Sequence, residues 1–510
     1  MNNSPWRPWR SALLLVGGLI ALSVIAVEPP DKEPEVVAAG PNDSLVTSSD
    51  AEDDAGTGDA TEEATGGATG GGTASGTGGT ATKTGRTGTA AGPNRTSSGP
   101  TATATGDLQC KAGQNGGTTD KGVSGNRIKL AATNVRSGTG SSFLGSAYIG
   151  MQAVVNRVNA KGGVCGRLLE LRLVDDAWDA AKGAGYLASF AQGDYFALPV
   201  VPSSEGLTTA INNKTISSAG IPVVGSDGML KEQYSDSWVW PVATATVSTM
   251  RVMAKHAFDN GAKTFGIVYD NQYKFGIEGL DAFAAYVKQL PGADLKEPVG
   301  VPPGLASYSG EATTFNSRCN PACDFVAMLL TPETANVYIN SQVTEGERKR
   351  GFGRLLTGGA QPLFNERFAR DCGKFCDGML VWTGYNPPVG RLASEPAVAA
   401  YVDDVKSVDP GVDVNNQFLE GAYLGMKVFV EALQKVGPRL TRAAVRDVMN
   451  SMTYESDLVS SLTWGPQVPQ QRFANLSAQA FKIVTASGSF VGFAEANTGF
   501  LRDPTPGVLN

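Results

Sequence analysis

Six cysteines are the residues whose spacing most directly indicates chemistry in this chain. Two pairs have three residues between their members, in the segments CNPAC and CGKFC. In an oxidising compartment an even number of cysteines favours disulfides. The spacing predicts three of them, namely Cys319–Cys323, Cys372–Cys376 and Cys110–Cys165. The alternative is a four-cysteine zinc site made from the two local pairs, although the usual zinc spacing and an accompanying histidine are missing.

The other residues that could do chemistry do not indicate an enzyme. The single histidine, His256, lies in an amphipathic helical pattern, which predicts an ordinary helix-surface or half-buried residue. The sequence contains no Gly-x-Ser-x-Gly elbow and no phosphate-cradling GxxxxGK[ST] loop. Asp175 and Asp176 could form an acid–base pair, but their place at a predicted strand end favours a role in fixing a loop. We therefore predict no catalytic residues, no metal and no cofactor.

The N-terminal segment predicts export. Arg7 and Arg10 precede an apolar run from Ala12 to Val27, which is the arrangement of an export signal. The run is somewhat shorter than the ~20 residues that span a bilayer, and no clean cleavage site ends it. Residues 1–27 are therefore a signal peptide or, as we prefer, an uncleaved signal anchor. Because arginines stay inside, the rest of the chain is placed outside the cytoplasm, anchored to the membrane or secreted.

Residues 28–106 are predicted to form a disordered acidic linker rich in Gly, Thr and Ala. They contain 12 acidic and 4 basic residues and very few large apolar side chains. Such a segment cannot bury enough apolar surface to offset its chain entropy. Because the whole chain has a net charge of −7, the remainder is close to neutral. It therefore lacks the basic surface that nucleic-acid binding requires.

Short apolar runs alternate with helical patterns in the rest of the chain. The first strands are predicted at 128–135, 168–176, 195–201 and 221–226, with helices at 145–159, 180–192 and 206–219. A second series has strands at 264–271, 295–301, 324–330, 353–359 and 378–385, with helices at 276–289 and 334–344. Helices at 416–436 and 441–452 follow. The end of the chain alternates like antiparallel strands around a Ser-Gly-Ser turn.

Alternation of strands and helices indicates right-handed βαβ units and a parallel sheet. Two successive series predict an α/β fold with two doubly wound parallel-sheet lobes joined by a multi-strand hinge. The predicted division is lobe 1 over 107–245, the main part of lobe 2 over 246–385, and 386–510 for the end of lobe 2, the return to lobe 1 and the C-terminal hinge strands. Ligands bind beyond the carboxyl ends of such strands, so the two lobes should enclose a cleft that closes on the hinge.

Several segments between Val123 and Phe493 resemble a known family. They are IKLAATNVRSGTGSSFLGSAYIGMQAVVNRVNAKGGVCGRLLELRLVDD, the serine loop VVPSSEGLTTAI, the strand and loop IPVVGSDG, the second-lobe opening YDNQYKFGIEGLDAF and the late helix FLEGAYLGMKVFVEAL. Their order and spacing resemble the type I periplasmic solute-binding proteins of ABC transporters, in particular the leucine/isoleucine/valine-binding receptors. The resemblance implies a Venus-flytrap architecture that captures a small solute for an ABC permease.

The resemblance also implies a set of ligand-binding residues. Family members hold a ligand carboxylate with hydroxyls and backbone N–H groups at helix starts of the first lobe, where the partial positive charge suits anions. The matching positions are Ser203 and Ser204 before a helix, Ser226 after a strand, Ser142 and Phe143 in the first loop, and the second-lobe Tyr273. The serines could instead serve as helix caps or turn residues, and Tyr273 could be an ordinary surface tyrosine.

The chain departs from the amino-acid receptors at one position. Those receptors place an acidic residue, which pairs with the ligand ammonium, after the strand that reads RLLTGGAQPLF here. This chain has Ala360 and Gln361 there, and an ammonium buried without a counter-charge costs on the order of several kcal/mol. A free α-amino acid is therefore expected only if Asp227, Glu205 or Asp270 substitutes. The predicted ligand is a small polar molecule, either an amino acid, a carboxylate or an amide, and a sugar stays open.

Two functions are compatible with these features. The first is capture of a small molecule for an ABC permease, and the second is a ligand-sensing ectodomain with the same fold and no transport role. The predicted partners are the small-molecule ligand and the permease, with no nucleic acid. The protein is expected to be a monomer or a weak dimer.

Overall fold

The computed structural model describes residue 110 and residues 114–509, apart from 343 and 355. The predicted signal segment, 1–27, and the predicted linker, 28–106, lie outside the described residues. Within the described part of the chain, no helix combines the length and the apolar character needed to cross a membrane.

Five strands form the sheet of the first lobe. They are β1 (Arg127–Asn134), β2 (Leu168–Asp175), β3 (Leu198–Pro199), β4 (Val223–Val224) and β5 (Val239–Trp240). The helices between them are α1 (Ser141–Leu144), α2 (Ala147–Ala160), α3 (Ala180–Gln192), α4 (Ser204–Asn212) and α5 (Thr215–Ala219). All pairings are parallel, and a bridge between Leu130 and Ala197 joins the β1–β2 pair to the β3–β4–β5 group. The spatial order is therefore β2-β1-β3-β4-β5.

Strand β1 shows why helices cover both faces of this sheet. Its side chains alternate between the two faces. Ile128, Leu130 and Ala132 belong to the apolar cluster that contains α2, whereas Ala131 belongs to the cluster of α3, α4 and α5. A strand that is apolar on both sides can only be buried between two helical layers, which is the doubly wound arrangement that the sequence predicts.

The second lobe follows with its own strands and helices. The strands are β6 (Thr264–Asp270), β7 (Asp294–Leu295), β8 (Val299–Val301), β9 (Phe325–Leu329), β10 (Leu356–Gly359) and β11 (Leu380–Thr383). The helices are α6 (Thr246–Asp259), α7 (Lys274–Val287), α8 (Ser309–Arg318), α9 (Pro332–Asn340), α10 (Glu345–Gly351) and α11 (Glu366–Cys372). These strands pair in parallel.

The chain then returns to the first lobe and finally re-enters the second. The returning elements are α12 (Pro396–Val408), α13 (Gln417–Val436), α14 (Arg442–Met449) and the antiparallel pair β12 (Thr453–Ser456) and β13 (Val459–Thr463). Helix α13 packs against α2 in the first-lobe core. The last strands are β14 (Ser477–Ala486), β15 (Ser489–Glu495) and β16 (Leu501–Arg502). Strand β14 pairs antiparallel with β11, so the second sheet has the order β15-β14-β11-β10-β9-β6-β7, with β8 on β6 and β16 on β14.

Three segments cross between the lobes, one after β5, one after β11 and one before β14. The buried side-chain amide of Asn475, in the third segment, donates to the carbonyls of Val242 (3.3 Å) and Gly384 (3.0 Å), which lie in the first and second segments. The Thr244 hydroxyl donates to the carbonyl of Ser477 (2.6 Å). These bonds hold the three segments together as a hinge.

The predicted α/β fold with two parallel-sheet lobes is confirmed, but some predicted elements are divided. The helix predicted over 206–219 is two helices, α4 and α5, because Lys214 between them has a left-handed φ of 60°. The strand predicted over 295–301 is two short strands, β7 and β8. Pro298 lies between them and has no N–H to donate to a neighbouring strand. The sequence did not indicate β5, which is only two residues long.

Three disulfides are present, and they join the cysteines that the spacing predicts as partners. They are Cys110–Cys165, Cys319–Cys323 and Cys372–Cys376. The first ties the start of the described chain to the turn after α2. The other two each join cysteines of the second lobe that have three residues between them.

Candidate functional site

The carboxyl ends of strands from both lobes lead into one enclosed space. Strand β3 is followed by Ser204 and Glu205 at the start of α4, and β4 is followed by Asp227. On the second-lobe side, Phe275 follows β6 and Pro362 follows β10. All five residues line a single cavity. The cleft predicted between the lobes is therefore present where the strand ends meet.

The remaining lining of this cavity is apolar. It is provided by Phe143, Leu144, Trp178, Met229 and Leu230, all of which come from the first lobe. The lobes lie close together, so that only about 10 Å³ remains for the centre of a water-sized molecule. Apolar residues of both lobes, including Phe143, Leu230 and Phe275, pack into one continuous cluster across the cleft. The structure is thus a closed form of the two lobes.

Asp227 is the central polar group of the cavity. Its carboxylate accepts hydrogen bonds from the Ser204 hydroxyl, from Gln233 Nε2 (2.6 Å) and from the backbone N–H of Met229 (3.3 Å). Asp227 is half-buried and lines the cavity. Burial raises the pKa of Asp227 to about 6, against the lowering effect of its three donors.

Ser203 lies at the N-cap position of α4, yet its hydroxyl does not cap the helix. It lies beside the buried carboxyl of Asp176 without making a hydrogen bond of normal geometry. Burial raises the pKa of Asp176, and the nearby hydroxyls of Thr133 and Ser203 partly offset this. Asp175 instead accepts from the Ser137 hydroxyl (2.6 Å) and from backbone N–H groups of the same loop. The two aspartates therefore do not form a cavity-lining pair.

The other predicted ligand-binding residues occupy different places. Phe143 lines the cavity, whereas Ser142 is its neighbour and has a buried hydroxyl without a hydrogen-bond partner. The Ser226 hydroxyl, next to Asp227, is also fully buried and unpartnered. Gln361 is buried beside the cavity residue Pro362, and its Nε2 donates to the hinge carbonyl of Thr244 (2.9 Å). Gln361 thus connects the second lobe to the hinge in this closed form.

Aromatic rings form a row across the cleft. Phe143 packs against Phe418 (centroids 5.5 Å apart) and against Trp178 (5.3 Å). Trp178 packs against Tyr273 of the second lobe (4.5 Å), and Tyr273 stacks on Phe275 (6.1 Å). The predicted second-lobe tyrosine therefore covers a tryptophan of the opposite lobe. Trp178 has a left-handed φ of 62°, and no local pattern in the sequence indicated that it would reach this site.

Polar contacts between the lobes hold the cleft closed. Glu205 Oε1 accepts from the backbone N–H of Lys274 (3.0 Å), and the Lys274 side chain pairs with Glu232 of the first lobe. The backbone N–H of Lys231 donates to Glu278 on α7 (3.0 Å).

On another side of the cleft, the N–H of Glu366 donates to Asp413 (2.9 Å). Burial raises the pKa of Asp413 to about 6, and the nearby Glu366 adds to this shift.

Two further candidates lie outside the cavity. Asp270, a predicted substitute partner for a ligand ammonium, is fully buried and accepts from the backbone N–H of Thr331 (3.0 Å). His256 is half-buried on α6, as predicted, and packs edge-to-face against the buried Trp382 (5.3 Å). Among the residues that the structure describes, no group of three or more His, Cys, Asp or Glu side chains could hold a metal ion.

Comparison with known proteins agrees with this architecture. A family model described as periplasmic binding protein matches residues 127–475, whereas no curated protein matches the chain. A fatty acid ABC transporter substrate-binding protein from Thermomonospora curvata is 17% identical with a TM-score of 0.63, over 78% of this chain and 97% of that chain.

Two other solved structures are similar to a comparable degree. A leucine binding protein from Thermotoga maritima is 17% identical with a TM-score of 0.58, over 72% of this chain and 99% of that chain. A solute binding protein from R. palustris, solved in complex with 4-hydroxybenzoate, is 14% identical with a TM-score of 0.60, over 74% of this chain and 98% of that chain. At such low identity the likeness shows the fold alone.

Proposed function

This chain belongs to the periplasmic binding protein family, and from that premise we propose that it is an extracytoplasmic receptor that captures a small polar molecule by closing its two lobes. The family is one of binding proteins, and the proposal includes no catalytic step. Function on such a fold has to be argued from the site, which here is the cavity between the lobes.

The observation that carries the proposal is the composition of that cavity. First-lobe residues after β3 and β4 and second-lobe residues after β6 and β10 line one enclosed space. A ligand that contacts both walls binds the closed arrangement more tightly than the open one, so its binding favours closure. The Glu205–Lys274 hydrogen bond forms only when the lobes are together, which adds a direct stabilising contact to the closed form.

Within this site we propose Asp227, Ser204, Phe143 and Tyr273 as residues that contact or cover the ligand. Ser203, Ser226 and Ser142 contribute buried hydroxyls close to the cavity-lining residues. Gln361 acts at the hinge side of the same wall. An amino acid, a carboxylate and an amide are the ligand classes that the sequence indicates.

Delivery to an ABC permease is the proposed outcome of capture. The solved structures of similar fold include substrate-binding proteins of ABC transporters, which supports this choice over a sensing ectodomain without transport. Deleting the gene should abolish uptake of the captured molecule if the protein serves transport. Unchanged uptake together with a lost cellular response would support the sensing alternative.

Trp178 gives a direct test of ligand capture, because it lies on the cavity wall. Native mass spectrometry of the purified full chain should detect a co-purified small molecule, which is then removed by unfolding and refolding. Adding it back should change the tryptophan fluorescence, and the change should be much smaller in Trp178→Phe. As a control, Trp238→Phe alters a tryptophan away from this cavity and should leave the change intact. A chain that releases no molecule and responds to none of a broad solute panel would contradict the receptor function.

A further inference from the structure

The polar groups that line the interlobe cavity are mainly hydrogen-bond acceptors. Glu205 and Asp227 contribute carboxylates, and the Ser204 hydroxyl already donates its hydrogen to Asp227. Among the described residues that line the cavity, none is a lysine or an arginine. A ligand entering this space therefore meets accepting oxygens and has to supply the donors itself.

One feature would favour an anion, namely the N-terminal end of α4 with its partial positive charge. That end already faces two carboxylates of the protein. Asp227 is bonded to Ser204, the first residue of α4, and Glu205 lies in the first turn. A ligand carboxylate placed there would lie beside the half-buried Asp227, with no lysine or arginine in the cavity lining to compensate. Like charges in a poorly solvated site repel strongly.

The aromatic rings in the cavity lining also favour a positively charged ligand. Phe143, Trp178 and Phe275 present aromatic rings to the cavity from both lobes. Cations are attracted to the faces of aromatic rings, and recognition of substituted ammonium groups commonly combines several rings with a carboxylate. The same rings can also pack against an apolar body attached to the charged group.

We propose that the cavity takes an organic cation, that is, a protonated amine or a quaternary ammonium carried on an apolar body and without a free carboxylate. The main support for this proposal is that Asp227 and Glu205 line the same small cavity as aromatic rings of both lobes. The inference rests on the proposed receptor function, and it replaces the ligand classes that the sequence indicates. When the lobes part to admit this ligand, Asp227 and Glu205 hold the cationic head, and Phe143, Trp178 and Phe275 enclose the body.

Sets of molecules that share a body and differ only in their charged head test this directly. Benzylammonium, benzyl alcohol and benzoate form an aryl set, and hexylammonium, hexanol and hexanoate form an alkyl set. Titration calorimetry on the full chain should give an affinity for the cation at least about tenfold above its neutral and anionic counterparts. Equal or tighter binding of an anion or alcohol overturns the cation class and leaves the receptor function standing. Binding of no member counts against both.

A variant tests whether Asp227 supplies the charge. Asp227→Asn keeps the size and an accepting oxygen, and it should reduce cation affinity about tenfold or more without weakening the neutral alcohol. Asp281→Asn, at an exposed position on α7, should change neither the affinity for the cation nor the affinity for the alcohol. If Asp227→Asn leaves the preference for the cation unchanged, the proposal is wrong.

Proton release provides a readout on the unmodified protein, so the proposal stays testable if Asp227→Asn does not fold. A bound cation lowers the pKa of a neighbouring carboxyl, whereas a bound anion raises it. With the pKa of Asp227 at about 6, cation binding at pH 6 should release a fraction of a proton per ligand into weakly buffered solution. Tyr234 and Tyr385 also face Asp227, but burial raises their pKa values well above the ordinary range, so they stay neutral. Proton uptake would overturn the proposal.

Discussion

The side-chain amide of Asn475 donates to the backbone carbonyl of Gly384 at 3.0 Å, and this bond joins two of the three segments that cross between the lobes. The same amide nitrogen also donates to the carbonyl of Val242 (3.3 Å), which lies in the first crossing segment, after β5. Asn475 is almost fully buried, so water cannot replace these bonds. One side chain thus fixes the spacing of the hinge strands about which the lobes move.

Replacing Asn475 should therefore cost more stability than an average surface change. In Asn475→Ala, the carbonyls of Val242 and Gly384 lose a buried donor, and the expected loss is about 2–4 kcal/mol in the free energy of unfolding. Urea denaturation of the purified protein measures this loss.

Asn475→Asp is a close match in shape, but it has no amide donor when ionised, and it should be at least as destabilising as Ala. If Asp restored wild-type stability, the donor role of Asn475 would be refuted.

A second prediction concerns the pH dependence of stability. Asp270 is fully buried, and one of its oxygens has no hydrogen-bond partner. Burial raises its pKa to about 7, and Glu333 adds to the shift. Because the folded pKa lies above the unfolded value of about 3.9, the contribution of Asp270 to stability is present below pH 4 and is lost as pH rises through 7. The protein should therefore become less stable between pH 5 and pH 8.

Asp270→Asn should flatten that dependence, because the amide carries no charge to bury. We expect the variant to lose about 1–3 kcal/mol less stability than the wild type between pH 5 and pH 8. The stability of the variant should still vary somewhat with pH, since burial also raises the pKa values of Asp227 and Asp413 to about 6. Thermal unfolding across this pH range measures the difference, with the exposed Asp281→Asn as the control. A profile for Asp270→Asn that is parallel to the wild type would contradict the prediction.

The two-lobed fold could be predicted because its strands are recognisable without their neighbours. β1 and β2 are eight-residue segments rich in Ile, Leu, Val and Ala, and α13 is a long amphipathic helix with Asn416 as its N-cap. β5 was not predicted, although β3 and β4, which are equally short, fall within the predicted strands 195–201 and 221–226. Its place in the sheet comes from pairing with β4, which is a contact between distant parts of the chain.

The candidate site was only partly predictable for a related reason. Serines after β3 and β4 follow from the rule that ligands bind at strand ends, and Ser204 does line the cavity. That its hydroxyl would bond Asp227 depends on the packing of two loops, which no local pattern records. Trp178 reaches the cleft through a left-handed backbone conformation that is uncommon for a large residue. Asp227, next to Ser226, was the signal in the sequence that could have indicated the polar centre of this cavity, because a carboxylate after a strand end is an expected cleft residue.

A third prediction ranks the disulfides. Cys110–Cys165 closes a loop with a sequence separation of 55, whereas each of the other two closes a separation of 4. The entropy lost by the unfolded chain grows with the size of the closed loop, so replacing both Cys110 and Cys165 by Ser should cost about 2–4 kcal/mol. The Cys319→Ser, Cys323→Ser double variant should cost less. Guanidinium unfolding of the two variants compares them, and the reverse order would show that native packing around Cys319 dominates over loop entropy.

The last prediction separates the two neighbouring serines at the start of α4. Ser204 donates to Asp227, whereas Ser203 lies beside Asp176 and lines no part of the cavity. In Ser204→Ala the ionised form of Asp227 loses a donor, so the pKa of this carboxyl rises further above 6. Because the folded pKa moves up while the unfolded pKa does not, the variant should lose about 1–2 kcal/mol more stability at pH 8 than at pH 4.

Ligand affinity at pH 7 should fall severalfold in Ser204→Ala, because fewer molecules then carry an ionised Asp227. Ser203→Ala should leave affinity near the wild-type value, and Ser309→Ala, an exposed serine of the second lobe, should change neither property. Denaturant unfolding at the two pH values and calorimetry with the molecule recovered from the purified chain measure both effects. Equal pH profiles for Ser204→Ala and Ser203→Ala would mean that the Ser204 hydroxyl does not stabilise the Asp227 carboxylate.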